Sequence, residues 1–201
     1  MSHKEPKEWL QWICDSQDIG TLSNNYDKWA AEYEDDVNAV WQPVPTQAAK
    51  MLAHHLDNPH SLILDIGAGT GLTGVELHTL GFRKLAGIDI SSAMLAKAAE
   101  KNVYQTLTCC AISEIDFTAI GSPLGMVATG VFADNHAGPQ DLAMLADAIA
   151  DGGVFVFTVR QSFLTEIQAV VTQSHWRALE SIILPIYEDP IHLLAYKIQH
   201  T

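Results

Sequence analysis

No apolar run in this chain approaches the roughly 18 residues a membrane-spanning helix needs, so the sequence offers no candidate span. The opening Met1-Ser2-His3-Lys4-Glu5-Pro6 leads into no apolar segment of the kind that marks a signal peptide. Cysteine is scarce: Cys14, Cys109 and Cys110 form neither a CxxC pair nor a regular disulfide framework. Neighbouring Cys109 and Cys110 are expected as small buried strand residues of a protein in the reducing cytoplasm. Basic residues are few as well, with 11 Lys and Arg against 24 Asp and Glu, a formal net charge of −13. A field of that sign repels phosphate backbones and anionic membrane surfaces, and no Lys/Arg cluster offsets it. Neither a nucleic acid nor a membrane is therefore expected as partner, while a small molecule, a cation or a basic protein stays open. Repeats and low-complexity tracts are absent too, and nothing in the sequence fixes an oligomeric state.

What is present suits one domain of 201 residues with a sizeable core. Residues 1–57 read as a helical N-terminal lid and residues 58–201 as an α/β core. Lys7 to Ser16 places Trp9, Trp12 and Ile13 at helical spacing. A second helix is expected from Tyr26 to Val40, with Tyr26, Trp29, Ala30, Tyr33 and Val37 on one stripe. Pro43 and Pro45 then break the chain ahead of a third helix over Thr46 to Leu56. From Ser61 the period changes. Leu62 to Ile66, Lys84 to Ile90, Val103 to Cys110, Gly125 to Phe132 and Gly153 to Val159 read as five strands. Helices are expected between most of them and over Ser162 to Ser174. Ala178 to Tyr187 and Ile191 to Ile198 close the pattern as a hairpin about Glu188-Asp189-Pro190. This alternation predicts a mostly parallel seven-stranded sheet whose closing hairpin forces one strand antiparallel.

The chemistry concentrates at Asp65-Ile66-Gly67-Ala68-Gly69-Thr70-Gly71, between the first strand and its helix. Glycines there let the backbone turn sharply and approach a ligand with no Cβ in the way. Asp89 ends the next strand about 20 residues on, where a carboxylate accepts the hydroxyls of an adenosine ribose. Gly69-Thr70-Gly71-Leu72-Thr73-Gly74 is also a literal GxGxxG, which keeps a nicotinamide oxidoreductase as the alternative. Against it, that register leaves Gly67-Ala68 as an inserted piece, and Asp65 would repel a pyrophosphate at the turn. A ligand with an ammonium and a sulfonium and no phosphate turns the acidic strand end into an asset.

Leu64 to Gly71, followed by Gly87-Ile88-Asp89-Ile90-Ser91-Ser92-Ala93-Met94-Leu95, resembles motifs I and II of the class I S-adenosylmethionine-dependent methyltransferases. Tyr26-Asp27-Lys28-Trp29-Ala30, Gly81-Phe82 and Val103-Tyr104 are similar to the methyltransferase-like subfamily of the Williams–Beuren syndrome region and its bacterial relatives. The resemblance implies a Rossmann-like class I methyltransferase fold and S-adenosylmethionine as cofactor, released as S-adenosylhomocysteine. It further implies that Gly67, Ala68, Gly69, Thr70 and Gly71 wrap the methionine part, with Asp65 facing its ammonium through water. Asp89 would hold the ribose, with Ile90 and Met94 flanking the adenine. Where the family often offers an acid to the adenine, this chain has Ala111, so backbone groups of Ala111 and Ile112 are expected to serve, with Glu114 too far along. Gly130 and Val131, leaving strand four, would approach the cofactor.

Asn135 and His136 follow, close to where the methyl group would point. Methyl transfer from a sulfonium is an in-line displacement that needs alignment first, and a base only for a protonated nucleophile. His136 is the candidate base, or else a residue that merely hydrogen-bonds its loop. Arg160 faces either a substrate carboxylate or a surface acid. Tyr26, Trp29 and Tyr33 either pack as any amphipathic face does or form a lid, which the resemblance favours, with Tyr26 at the methionine end and Trp29 and Tyr33 toward the substrate. Glu32, Glu34, Asp35 and Asp36 read as a solvated helix face, and His54-His55 as neighbours that diverge on a helix, so no metal is expected. The expected function is methylation of a small molecule, with a non-catalytic cofactor-binding module as a second alternative.

Overall fold

The computed structural model describes residues 9, 12, 13, 15–133, 136–174 and 176–200. Seven strands form one sheet: β1 (Leu62–Ile66), β2 (Lys84–Asp89), β3 (Thr106–Cys109), β4 (Gly125–Phe132), β5 (Val154–Arg160), β6 (Arg177–Leu184) and β7 (Ile191–Lys197). Their order is β3-β2-β1-β4-β5-β7-β6. The first five pair in parallel, and β7 runs antiparallel between β5 and β6. The hairpin expected from Glu188-Asp189-Pro190 is what inserts that antiparallel strand. β1 is an interior strand, between β2 and β4, and its LILDI run is almost wholly buried, as a strand covered on both faces must be.

Side-chain alternation along the strands builds two cores. Leu64, Ile66, Ile88, Met126, Phe155 and Phe157 share one, together with Leu142 and Leu145 of α7 (Pro139–Ala148) and Ile167 of α8 (Leu164–Gln173). Ile63, Leu85, Val127, Val156 and Leu193 share the other, where Ala48 and Leu52 of α3 (Pro43–His55) and Leu77 of α4 (Leu72–Thr79) pack. Burying a Leu or Ile side chain is worth about 1.5–3 kcal/mol, so α3 is held by the sheet rather than by its own propensity. Between β2 and β3 lies α5 (Ser92–Glu100), and between β3 and β4 a short α6 (Phe117–Ile120) follows a 3-10 turn at Ile112–Glu114.

Three expectations are corrected here. The helix expected over Tyr26 to Val40 is two helices, α1 (Ile19–Trp29) and α2 (Tyr33–Trp41). Asp18 caps α1, its Oδ1 accepting from the Thr21 backbone N–H at 2.8 Å. The interruption falls where Trp29 stacks on Trp9 at 5.7 Å, meets Tyr33 edge-on at 4.8 Å and donates from Nε1 to Asp36 at 2.7 Å. Pro43 does not break the chain but opens α3, because the first turn has no use for the N–H that proline lacks. Cys109 is exposed and Cys110 only half-buried, because β3 is an edge strand covered on one side alone.

Trp9, Ile13, Leu22, Trp29 and Val37 form a third cluster, the inside of the lid. Its attachment to the sheet is polar and specific. Asp27 Oδ1 accepts from Ser91 Oγ at 2.6 Å and from the Ala93 backbone N–H at 3.0 Å, at the first turn of α5. Ser91 itself caps α5 through Met94 N–H, so a lid carboxylate completes the cap of a core helix. Ser23 Oγ donates to the Ile90 carbonyl at 2.8 Å, and Lys101 pairs with Glu34 at 2.7 Å. No helix among the described residues is long and apolar enough to cross a membrane.

Candidate active site

The site starts at the carboxyl end of β1. Gly67, Gly69 and Gly71 all have positive φ, at 66°, 55° and 89°. At Gly67 the need is double, since a Cβ would also lie 2.5 Å from Val131 Cγ2. Ala68 N–H donates to the Ile88 carbonyl at 2.9 Å, tying the turn to β2. Asp89, at the end of β2, accepts from Gly69 N–H and from Ser91 N–H, each at 2.8 Å, one on each oxygen. Burial pushes the Asp89 carboxyl upward, and those two N–H donors pull it back. Each oxygen keeps a lone pair for a ligand hydroxyl, and the residue lines the central cavity.

Asp65 sits differently. It is 1 % exposed and does not line the cavity. Its Oδ2 accepts from the Tyr104 hydroxyl at 2.6 Å, while Oδ1 is buried with no hydrogen-bond partner. Desolvation raises its pKa to about 7, against the lowering pull of Tyr104, with the charge of Asp89 adding to the rise. Tyr104 reaches this position under α4, where Gly74 leaves room: a Cβ there would come within 2.2 Å of the hydroxyl. Neither residue's spacing announced that contact.

The cavity has a volume of about 350 Å³, within the range of small-molecule sites. Tyr26, Trp29 and Tyr33 line it from the lid, Gly67 and Gly69 from the turn, and Asp89, Ile90, Met94, Ala111 and Ile112 from the edge formed by β2, α5 and the segment after β3. Gly130, Val131 and His136 line it from β4 and the loop beyond, and Arg160 from the end of β5. β4 leaves its register with β5 between Ala128 and Phe132, a bulge that turns Thr129, Gly130 and Val131 toward the cavity. Ala68, Thr70 and Gly71 are buried and do not line the cavity. Asn135 lies outside the described residues. Burial, with the nearby Tyr187, Asp89 and Glu34 adding to it, pushes the Tyr33 phenol well up.

Sequence reasoning missed four participants. Trp41 continues the stripe of Val37 by one turn and could have been read from that spacing; a Cβ on Gly130 would meet its ring at 3.2 Å. Tyr187, at the tip of the final hairpin, stands 6.3 Å from Trp41 and carries the Arg160 guanidinium over its ring at 5.4 Å. Asp27, which pins the lid, reads locally as a surface acid. Glu114 was set aside as too distant, yet the 3-10 turn folds its carboxylate back to accept from Ala111 N–H at 3.1 Å. That engages one of the two backbone groups expected to serve the adenine. Of the acids expected on a solvated face, Glu34 is paired with Lys101 and Asp36 with the Trp29 indole.

The residues present suit S-adenosylmethionine. At the glycine turn Gly67 packs so closely on Val131 that a Cβ would clash with it, Gly67 and Gly69 present bare backbone to the cavity, Asp89 offers both oxygens, and the buried Asp65 Oδ1 lacks a partner. Arg160 is the one Lys or Arg lining the cavity among the described residues, and it comes from β5 rather than from the glycine turn. A pyrophosphate at that turn would meet carboxylates instead.

Comparison with known proteins agrees. Residues 63–153 match the model of a methyltransferase domain. Methyltransferase-like protein 27 of Homo sapiens is 33% identical over 139 residues, covering 68% of this chain and 50% of that protein. The chain thus spans about half the length of this relative. Among solved structures, the magnesium protoporphyrin IX methyltransferase of Synechocystis PCC 6803 with bound S-adenosylmethionine superposes with a TM-score of 0.73 at 13% identity, over 98% of this chain and 99% of that one. The 1,6-didemethyltoxoflavin-N1-methyltransferase of Burkholderia thailandensis gives a TM-score of 0.62 at 14% identity, over 100% and 93%. At such identities the structures speak for the fold, and the domain match and the human relative speak for the family. Residues 63–153 thus form a methyltransferase domain, set in the fold of the class I S-adenosylmethionine-dependent methyltransferases.

Proposed function

We propose that this protein transfers a methyl group from S-adenosylmethionine to a small, largely apolar acceptor that carries an anionic group. The observation that carries this reading is the junction of two unlike regions in one cavity: the glycine turn with Asp89, and the aromatic wall with Arg160 and His136. The cofactor supplies an activated methyl group with a thioether as its leaving group. Asp89 accepts the ribose hydroxyls, Ile90, Met94 and Ile112 flank the adenine, and Gly67, Gly69, Gly130 and Val131 admit the cofactor chain closely. Asp65, Ala68, Thr70 and Gly71 hold the turn in shape from behind, while Tyr26, Trp29 and Tyr33 exclude water from above. Arg160 pairs with the anion of the acceptor. His136 takes the proton when the accepting atom carries one. Alignment and water exclusion are the main contributions expected of the protein. The scarce cysteines suit a protein of the cytoplasm.

Calorimetric titration with S-adenosylmethionine, S-adenosylhomocysteine and NAD in parallel tests the cofactor half. Both adenosyl compounds should bind and NAD should not. Asp89→Ala should weaken binding by about 1.5–3 kcal/mol, since hydrogen bonds to a charged acceptor are lost. Binding of NAD alone would move the site to redox chemistry. Methylated product formed in a cell extract would separate an enzyme from a module that only holds the cofactor.

A further inference from the structure

Away from the cavity, α3 ends in two adjacent histidines whose rings were expected to diverge. Instead they meet edge to face with centroids 4.7 Å apart. His55 Nε2 lies 2.9 Å from Glu180 Oε2 on β6, a contact across 125 residues of sequence. Ligand-capable atoms of His54, His55 and Glu180 all lie within 4.8 Å of one another. We propose that these three side chains form a site for a divalent transition metal of the zinc class, tying the end of α3 to β6.

The backbone of β6 is what makes the third ligand available. Ala178 faces Tyr196 and Glu180 faces Ala195, so Leu179 is an extra residue in the ladder. A one-residue slip exchanges the two faces of a strand, and a bulge does this locally. As a result Leu179, Glu180 and Ile182 all line the same hollow beside α3, which His54, His55 and Met51 close from the helix side. A regular strand would not bring Glu180 and Leu179 to one hollow. The histidines also occupy the last turn of α3, where the helix dipole favours a cation.

The donor set selects the ion. Two imidazoles and one carboxylate suit zinc, cobalt or nickel, whereas calcium and magnesium take oxygen ligands. Ligands at about 2.0–2.1 Å from a tetrahedral ion stand roughly 3.3 Å apart, so the 2.9 Å between His55 and Glu180 needs to open only slightly. His54 is exposed and free to turn its ring into the third position, which leaves the fourth to water. Lys50 also lines this hollow, but it is exposed to solvent, where its charge is screened.

The test uses the full chain freed of metal by a chelator. Cobalt added stepwise should give a visible d–d spectrum that saturates at one ion per chain, and zinc should displace it. His54→Ala, His55→Ala and Glu180→Gln should each weaken binding by about tenfold or more, at least the cost of losing an outer-shell partner. Glu180→Gln keeps an oxygen to accept from His55, so its loss of affinity reports ligation rather than packing. Zinc should raise the unfolding temperature of the wild type and leave that of the His54→Ala/His55→Ala double variant unchanged, because only binding to the folded state stabilises. Far-UV circular dichroism establishes that each variant is folded. Absence of a saturable cobalt spectrum, or equal affinity in the double variant, overturns the assignment.

Discussion

Replacing Asp65 by asparagine isolates the cost of burying a carboxylate that the folded protein half satisfies. Burial moves this carboxyl from its ordinary 3.8 to about 7. A folded state that holds its proton more tightly than the unfolded chain is most stable below about pH 4, loses stability up to about pH 7, and is level above it. At about 1.4 kcal/mol per pH unit, the ionised side chain costs about 4 kcal/mol. Asparagine keeps an oxygen to accept from Tyr104 but never ionises. The difference in stability between Asp65→Asn and wild type should therefore grow by about 4 kcal/mol, in favour of the variant, from pH 4 to pH 8. An unsatisfied amide N–H adds a constant offset of about 1–3 kcal/mol, which does not change with pH. Asp18, Asp116 and Glu34, which are lowered, are present in both proteins and cancel, while the repulsion between Asp65 and Asp89 is part of the difference being measured. Urea unfolding at intervals of one pH unit measures the difference directly. Parallel curves for the two proteins would refute the account of Asp65 as a buried, strained acid.

Two further outcomes follow from the same geometry. Gly67→Ala should lose cofactor affinity and about 1–3 kcal/mol of stability through its left-handed backbone and the clash with Val131; Val131→Ala in the same chain should recover only the clash, and full recovery would show that φ does not matter there. Asp27→Ala should cost about 1 kcal/mol and speed release of S-adenosylhomocysteine in stopped-flow, with unchanged release counting against Asp27 as the fastener of the lid.

The parallel strands, the glycine turn and Asp89 were legible because each rests on a local signal: a short apolar run, a cluster of glycines, an acid at a strand end. The N-terminal helices were legible as an aromatic stripe, but the interruption between Trp29 and Tyr33 was not, since Trp9 and Asp36 decide it from other turns of the chain. Tyr104 read as a strand residue, yet it precedes β3 and serves Asp65 beneath α4, a contact made possible by a missing Cβ at Gly74. Cys109 was misplaced for a related reason. Edge position belongs to the sheet order and cannot be seen from the strand itself. His54 and His55 were separated by helical arithmetic, which ignores a partner supplied by a bulge in β6.

The contact between Trp41 and Tyr187 has a consequence for the nascent chain. A ribosome issues the lid first, the glycine turn next and the hairpin tip much later, so the Trp41 ring waits for its neighbour while most of the domain is made. During that interval the indole rests on Gly130 at best, with the Arg160 and Tyr187 side of the cavity still open. The chamber in which an acceptor would be shielded from water is completed only when the hairpin has folded back onto β5.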